Sequence, residues 1–281
     1  MASLFVINAG GEKEPFSSKK VYRSTRRAGA SREVAQRITE TIKREVYPNI
    51  TTLEIFRRIK ILLHRKAPKS ALRFSIKEGI RKLGPTGFPF EKYIAEVLKS
   101  LGYKVRINQF LPGRCIKNYE IDFVAEKGKT VYVGECKYRH LSGERVRSPD
   151  ALTNYARFMD ITKGRYFKSK KRQGFAIKTM MVTNTKFTNR TVRYARCIGF
   201  ELLGWSYPRN RGLESLIETE KLYPITILPS FKGYLKEIFV QKRKMLACDL
   251  LNTPVNKLAQ ILGVRQKEIE KLAREARILL E

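Results

Sequence analysis

Three ionisable residues near the middle of the chain have the types and spacing needed for metal-assisted phosphoester chemistry: Asp122, Glu135 and Lys137. The glycine-containing segment Lys127–Lys129 between them predicts the turn of a β-hairpin. Because alternate side chains of a strand share a face, Glu135 and Lys137 should point the same way, and the hairpin can bring Asp122 beside them. Two carboxylates and one ammonium group at a sheet edge can hold a divalent metal ion and a water beside a phosphodiester.

The same charges have a plainer interpretation as a cross-strand surface ion pair, which contributes little to stability. The segment before Glu135, residues 131–134, is Val-Tyr-Val-Gly, which predicts a strand that is buried on both faces. A charge pair next to such a strand is costly without a role, so the sequence favours the site.

The ordered motifs of the central region resemble the PD-(D/E)XK nuclease superfamily, and its Mrr-like restriction endonuclease branch most closely. The resemblance implies an α/β fold in which a mixed sheet is flanked by helices, and it implies a DNA endonuclease. The segments that carry it are Gly87–Glu91, Gly102–Val105, Glu120–Phe123, Gly134–Tyr138, Met181–Thr188 and Leu203–Trp205.

The resemblance also implies site roles. Asp122 and Glu135, with the carbonyl group of Cys136, would hold Mg²⁺ or Mn²⁺, and Lys137 would orient the attacking water and stabilise charge on the phosphate. Glu91 borders a helical apolar stripe, and in the resembling family a glutamate of the first helix joins the metal site. A favourable charge at a helix N-terminus is the alternative for Glu91.

The charge balance predicts a polyanionic partner. The chain has 58 Lys and Arg against 26 Asp and Glu, a formal net charge of +32. Such an excess attracts nucleic acid, although it does not separate DNA from RNA or from anionic lipid. The densest basic run lies within residues 163–172, where a solvated loop face is the alternative, and we expect it to contact DNA through Lys168, Lys170, Lys171 and Arg172.

The first 85 residues predict a separate, mostly helical module. A short strand over residues 3–8 is followed by helical patterns, one of them with Ser31 as its N-cap. The order resembles an ATP-cone, a nucleotide-binding regulatory domain, through Phe5–Val6, Gly11, Pro15–Phe16, Lys20–Val21, Ala28–Gly29, Ala35 and Thr52.

The resemblance implies an adenine nucleotide, ATP or dATP, near Val6, Gly10, Gly11, Lys20 and Thr52. Lys20 would contact a phosphate, the glycine turn would add amide donors, and Thr52 would either cap its helix or bond the nucleotide. Many cones carry Lys-Arg-Asp-Gly after the first strand, whereas this chain has Asn-Ala-Gly-Gly at residues 8–11. Two basic ligands are therefore missing.

The remaining segments set the domain organisation. A glycine- and proline-rich stretch at residues 83–89 separates the N-terminal module (residues 1–85) from the nuclease-like domain (86–230). Helix, strand, helix and strand over residues 151–204 predict a crossover in a mixed sheet. The C-terminal segment (231–281) has Ala259, Gly263 and Ile269 at helix-turn-helix spacing; a helix-hairpin-helix or a plain helical hairpin fits the same pattern.

The sequence disfavours zinc-binding, disulfide-rich secreted and membrane-spanning proteins. The four cysteines have no zinc-site spacing, and their low density is typical of the reducing cytosol. No apolar run approaches the length of a signal peptide core or a membrane span, so we expect a cytoplasmic protein that is nucleoid-associated when it is bound to DNA. We also expect a homodimer.

The combined expectation is a metal-dependent DNA endonuclease regulated by ATP or dATP and acting in restriction, phage defence or DNA repair. The alternatives are a nucleotide-responsive DNA-binding regulator with an inert core, an RNA-directed nuclease, and a structural nucleoid protein, which the Asp122, Glu135 and Lys137 set disfavours.

Overall fold

The computed structural model describes residues 4–84, 87–141 and 143–281, and for Arg172 it describes the backbone alone. The N-terminal part is a two-stranded hairpin followed by five helices. Its elements are β1 (Phe5–Ile7), β2 (Lys13–Pro15), α1 (Ser18–Arg27), α2 (Arg32–Glu45), α3 (Thr52–Lys66), α4 (Pro68–Phe74) and α5 (Ile76–Arg81).

The central part is a five-stranded mixed sheet in the order β3-β4-β5-β7-β9, flanked by helices. Strands β3, β4 and β5 are antiparallel neighbours. Strand β7 pairs in parallel with β5, and β9 pairs in parallel with β7. A small parallel pair, β6 with β8, lies outside the main sheet. The elements are α6 (Phe88–Ser100), β3 (Lys104–Leu111), β4 (Tyr119–Lys127), β5 (Thr130–Lys137), β6 (Arg145–Val146), α7 (Ser148–Lys163), α8 (Lys168–Arg172), β7 (Ala176–Thr183), β8 (Lys186–Phe187), α9 (Asn189–Ile198) and β9 (Glu201–Leu203).

The C-terminal part is helical. Its elements are α10 (Leu213–Thr219), a 3₁₀ turn (Ile225–Ile227), α11 (Leu235–Gln241), a second 3₁₀ turn (Ala247–Leu250), α12 (Val255–Leu262) and α13 (Gln266–Leu280). Gly263 ends α12 with a left-handed φ of +63°, which is the tight turn expected between the last two helices.

Buried apolar side chains form one large cluster that joins α6, one face of the sheet and the C-terminal helices. Tyr93 on α6 is fully buried, and its hydroxyl donates to the carbonyl of Leu222 at 2.7 Å. Ile269 and Leu272 of α13 belong to the same cluster. The C-terminal helices therefore cover the sheet domain, as the plain helical hairpin interpretation expects.

The N-terminal helices have their own cluster, which extends from Val6 to Ala71. Ile76 and Ile80 of α5 pack instead in the large cluster, and the buried hydroxyl of Thr226 donates to the carbonyl of Gly79 at 2.6 Å. Helix α5 thus belongs, by its packing, with the sheet domain and the C-terminal helices.

Most predicted elements are present, and two details differ. Ser31 caps α2 as expected, because its hydroxyl accepts from the amide of Val34. Of the two roles left open for Thr52, helix capping is excluded: Thr51 is the N-cap, and its hydroxyl accepts from the amide of Glu54. The predicted first strand is shorter, Phe5–Ile7, and Ser3 lies outside the described residues.

None of the helices in the described ranges is long and apolar enough to span a bilayer.

Candidate active site at the edge of the sheet

The hairpin of β4 and β5 brings the three predicted side chains together. Its turn is at Lys127–Thr130, where Gly128 has a φ of +56°. The β4–β5 ladder ends at the pair Phe123 and Gly134, one residue before Asp122 and Glu135 face each other. Beyond that point a side chain replaces the backbone as hydrogen-bond acceptor: Oδ2 of Asp122 accepts from the amide of Cys136 at 2.6 Å.

Asp122 also interrupts the ladder on its other side. By the register of β3 and β4, the residue opposite Asp122 is Asn108, which has a left-handed φ of +52°. Asparagine tolerates this conformation better than most residues. Regular ladder pairing is therefore interrupted at Asp122 on both sides.

Glu135 is held between two cations. Its side chain is only 7% exposed, and its Oε1 lies 2.6 Å from Nζ of Lys137. Nη1 of Arg157, on α7, lies 3.1 Å from Oε2 of Glu135 and donates to the carbonyl of Glu120 at 2.9 Å. The Arg157 contact is an ion pair without hydrogen-bond geometry, so Oε2 is a buried acceptor with no hydrogen-bond donor among the described residues. A buried, incompletely satisfied carboxylate oxygen is typical of functional sites.

A third carboxyl group, that of Glu91, approaches from the first turn of α6. Burial, together with the charges of Asp122, Glu135 and Glu120, raises the pKa of Glu91 to about 7. Burial and the charge of Glu135 raise the pKa of Asp122 to about 6, against the lowering effect of the Cys136 amide. Several carboxyl groups thus share one poorly solvated site, which is the electrostatic condition that a bound cation relieves.

In their present orientations these groups do not form a metal cage: within residues 4–84, 87–141 and 143–281 there is no cluster of three His, Cys, Asp or Glu side chains with metal-holding geometry. The reason is visible in the contacts, because Glu135 faces Lys137 and Arg157 while Asp122 faces the Cys136 amide. The thiol of Cys136 is buried in the large apolar cluster, and burial raises its pKa well above the usual value.

The raised pKa of Glu91 gives a prediction about stability without metal. A raised folded-state pKa means that stability is fully present below pH 4.5 and is lost as the pH rises through about 7. We therefore expect Glu91→Gln to raise the free energy of unfolding at pH 8 in chelator by about 1–2 kcal/mol, allowing for solvent screening of a half-buried carboxyl. Thermal melts of both proteins at pH 5 and pH 8 measure this.

The stabilising effect of Glu91→Gln should be much smaller at pH 5, where Glu91 in the folded protein is neutral, and should vanish below pH 4.5. Added Mg²⁺ should then stabilise the wild type more than Glu91→Gln, because the variant lacks one anionic oxygen. A variant that is less stable than the wild type at pH 8 in chelator would contradict this electrostatic assignment.

Sequence reasoning missed Arg157, although a signal was present. The buried stripe of α7 includes Asn154, Phe158 and Ile161, and Arg157 borders that stripe as Glu91 borders the stripe of α6. Asn184, which directly follows β7, bonds both backbone groups of Arg139: its Oδ1 accepts from the amide and its Nδ2 donates to the carbonyl, each at 2.8 Å. It therefore fixes the loop that follows Lys137.

A cavity of about 340 Å³ lies between the N-terminal helices and the sheet domain, and three of the predicted nucleotide residues line it: Val6, Lys20 and Thr52. The predicted glycine turn does not line it. The amide of Gly10 donates to Oδ1 of Asn8 and that of Gly11 to the Asn8 carbonyl, so both predicted donors are occupied locally. Lys20 is exposed and pairs with Glu14 at 3.2 Å.

The opposite wall of the cavity comes from the sheet domain and α10, through Trp205, Glu214 and Glu218. Glu214 pairs with Arg27 at 3.0 Å across the boundary, and burial raises the pKa of Glu218 to about 7. Nε of Arg73, also in the wall, is buried without a hydrogen-bond acceptor among the described residues. The exposed surface of the cavity is mostly apolar, and its wall also contains seven charged side chains: Glu14, Lys20, Arg27, Arg73, Lys77, Glu214 and Glu218.

The predicted nucleic-acid contacts Lys168, Lys170 and Lys171 lie on α8, far from the carboxylates. Lys170 pairs with Glu126 at 2.7 Å, and Lys171 donates to the Thr162 carbonyl at 2.7 Å. Arg172 lies in the same helix, and its side chain is outside the described part of the chain. Residue 176, just after α8, pairs with Thr130 at the start of β5, the opposite end of that strand from Lys137.

Fold and site together define a mixed α/β protein with a carboxylate and lysine cluster at the edge of its sheet. The chain belongs to the AF1548-like family. It is 34% identical over 184 residues to an uncharacterized protein of Archaeoglobus fulgidus, an alignment that covers 66% of this chain and 98% of the relative. The family model for the AF1548-like C-terminal region matches residues 223–280.

A solved structure has the same fold over most of its length. It is the crystal structure of AF1548, described as a protein of unknown function, with a TM-score of 0.58 and 30% sequence identity. The match covers 69% of this chain and 98% of that one.

Proposed function

We propose that the protein is a metal-dependent DNA endonuclease with a PD-(D/E)XK-type fold. The observation that carries the proposal is the convergence of Asp122, Glu135, Lys137 and Glu91 where the β4–β5 ladder ends. The resemblance of the same segments to Mrr-like restriction endonucleases and the net charge of +32 support DNA as the substrate. The test is conversion of supercoiled plasmid to nicked or linear DNA by the purified protein with Mg²⁺.

The donor set fits Mg²⁺ or Mn²⁺, because these cations prefer carboxylate oxygens and Glu135 has a buried oxygen without a hydrogen bond. Asp122, Glu135 and the Cys136 carbonyl would hold the ion, with Glu91 as a further ligand. A bound ion supplies positive charge to the phosphate and lowers the pKa of a bound water. Glu135 must then exchange at least one cation partner, Lys137 or Arg157, for the metal.

Lys137 has the geometry for a second task. Its ammonium group lies against Glu135, and the hydroxyl of Thr183 donates to its backbone carbonyl at 2.6 Å, which fixes the end of β5. Released from Glu135, the ammonium group can orient a water and stabilise negative charge that develops on the phosphate. Such a role predicts that Lys137→Ala lowers turnover more than substrate affinity.

The regulator, in which the core binds DNA without cutting it, remains the principal alternative. It shares the charge and the cavity, but it gives no reason for several carboxyl groups to converge beside a lysine. An RNA-directed nuclease uses the same site, and competition between duplex DNA and RNA during cleavage separates it from the DNA enzyme.

We further propose an adenine nucleotide as ligand of the cavity between the N-terminal helices and the sheet domain. Support comes from its volume of about 340 Å³, the predicted residues Val6, Lys20 and Thr52 in its wall, and the aromatic side chains Phe16 and Trp205. A ligand there contacts both parts of the chain. It changes nuclease activity if it binds one arrangement of the two parts more tightly than another.

Trp205 gives a direct test, because it is the only tryptophan in the chain and lines the cavity. We expect ATP or dATP to change its fluorescence with saturation, and Lys20→Ala to weaken that binding by removing a phosphate contact. Lys19→Ala, at the adjacent position outside the cavity wall, is the matched control and should bind normally. No fluorescence change and no thermal shift at millimolar nucleotide would refute the assignment.

A further inference from the structure

We propose that duplex DNA is held by its phosphates in a basic groove beside α9, and not by the lysine-rich helix α8. The proposal rests on the nuclease function above and names the surface that receives its substrate. The groove encloses about 660 Å³, and its polar lining consists of Arg145, Lys186, Asn189, Arg193, Arg196, Ser206 and Tyr207. These residues define the α9 groove.

The α9 groove is strongly basic, and the charge of Glu214, which lies outside its wall, acts on Lys186. Its four cations are Arg145, Lys186, Arg193 and Arg196, and its wall contains no acidic side chain among the described residues. All four are exposed, and none forms an ion pair within the part of the chain that the structure describes. Exposed guanidinium groups without ion-pair partners are suited to phosphate oxygens, which they can bind in a bidentate manner.

The α9 groove lies beyond the same strand ends as the candidate active site. Strands β5 and β7 are parallel neighbours that end together, with Lys137 paired to Thr183. Just beyond those ends, β6 pairs with β8 and brings Arg145 beside Lys186. The chain from Lys137 to Arg145 is anchored on the way, because Asn184 bonds both backbone groups of Arg139. Phosphates in the groove therefore lie off the same sheet edge as the carboxylates.

The two central arginines stand on one helix face. Arg193 and Arg196 are three residues apart on α9, so their side chains are neighbours. The Nε group of Arg196 donates to the hydroxyl of Tyr207 at 3.3 Å, which orients its guanidinium across the tyrosine ring. A partly ordered arginine pair loses less conformational entropy when it binds phosphate than two free side chains.

Helix α8 has the denser basic sequence but the wrong position. It lies toward the Thr130 end of β5, and Lys137 is about 23 Å away along the seven residue steps of that strand, at about 3.3 Å each. Two of its lysines are also engaged, Lys170 with Glu126 and Lys171 with the Thr162 carbonyl. A phosphate bound there is remote from the carboxylates.

The experiment compares two double variants that remove equal charge at the two places. Arg193→Ala with Arg196→Ala empties the centre of the α9 groove, and Lys168→Ala with Lys171→Ala is the matched control on α8. All four side chains are exposed, so both variants should melt like the wild type. Binding of a labelled duplex is measured in chelator, where no cleavage occurs, over a range of salt concentrations.

We expect the groove variant to bind about tenfold or more weakly at low salt, with a slope of log affinity against log salt shallower by about 2, because two phosphate contacts are lost. The control should stay within about twofold. Equal losses in both variants would mean a diffuse field without a defined surface and would overturn the proposal, as would an unaffected groove variant or failure of the wild type to bind duplex DNA.

The design separates this proposal from the nuclease function. If the groove variant loses affinity as expected but wild-type protein never cuts DNA with Mg²⁺, the surface stands and the reaction fails. Double-stranded RNA of equal length serves as competitor. If RNA at the same concentration as the DNA displaces DNA from the wild type but not from the groove variant, the ligand of the groove is RNA and the DNA assignment is overturned.

Discussion

Asp122→Asn is expected to lower the rate of duplex cleavage by about a thousandfold or more. Loss of one anionic metal ligand removes several kcal/mol of transition-state stabilisation, and each 1.36 kcal/mol changes the rate about tenfold. The asparagine is nearly isosteric, and its Oδ1 can still accept from the Cys136 amide, as Asp122 does at 2.6 Å. The comparison therefore changes charge while the local backbone contact is retained.

DNA affinity in chelator should stay within about threefold for Asp122→Asn, because phosphate contacts of basic side chains supply most of the binding. Stability in chelator should not fall, since burial raises the pKa of Asp122 to about 6 and thus disfavours its charged form. Single-turnover cleavage, duplex titration and thermal melts measure the three quantities. Wild-type cleavage rates in a folded Asp122→Asn protein would remove Asp122 from the site.

The second large effect concerns the buried cluster around Glu135. We expect Arg157→Met to lower the free energy of unfolding by about 3 kcal/mol in chelator, because removing one partner leaves a buried charge incompletely compensated. Methionine keeps much of the length of the side chain, so the losses are the charge at 3.1 Å from Oε2 of Glu135 and the hydrogen bond to the Glu120 carbonyl. Lys137 still pairs with Glu135 in this variant, so we expect a loss of stability near the lower end of the range for breaking a buried ion pair.

The double-mutant cycle isolates this contact. In the Glu135→Gln background, Arg157→Met should cost less than about 1 kcal/mol, because no buried carboxylate is left unpaired. Lys163→Met, an exposed position on the same helix, is the control and should change stability by less than about 0.5 kcal/mol. Equal costs of Arg157→Met in both backgrounds would show that Arg157 and Glu135 are not coupled.

Local rules were sufficient for the part of the site that lies within one hairpin. The turn at Gly128 and the alternation of side chains along a strand placed Glu135 and Lys137 on one face, and their charged atoms lie 2.6 Å apart. Asp122 reaches the same edge because the hairpin register carries it there. The mixed sheet also followed from the order of strands and helices.

Contacts between distant segments could not be obtained in this way. Arg157 reaches Glu135 only because α7 packs over the sheet, and Arg145 meets Lys186 through a two-residue strand pair. Basic density along the chain pointed to α8, whereas the structure shows that two of its lysines are engaged. Charge density in a sequence does not report whether each charge is already compensated.

The most direct test of the central claim is the metal dependence of cleavage of supercoiled plasmid by purified full-length protein. We expect nicked and linear products with Mg²⁺ or Mn²⁺, no products in chelator, and no products from Asp122→Asn under either condition. Cleavage that persists in chelator, or that Asp122→Asn supports at the wild-type rate, would contradict metal-dependent hydrolysis at Asp122, Glu135 and Lys137. No cleavage by a folded wild-type protein that binds plasmid with Mg²⁺ present would instead favour the DNA-binding regulator.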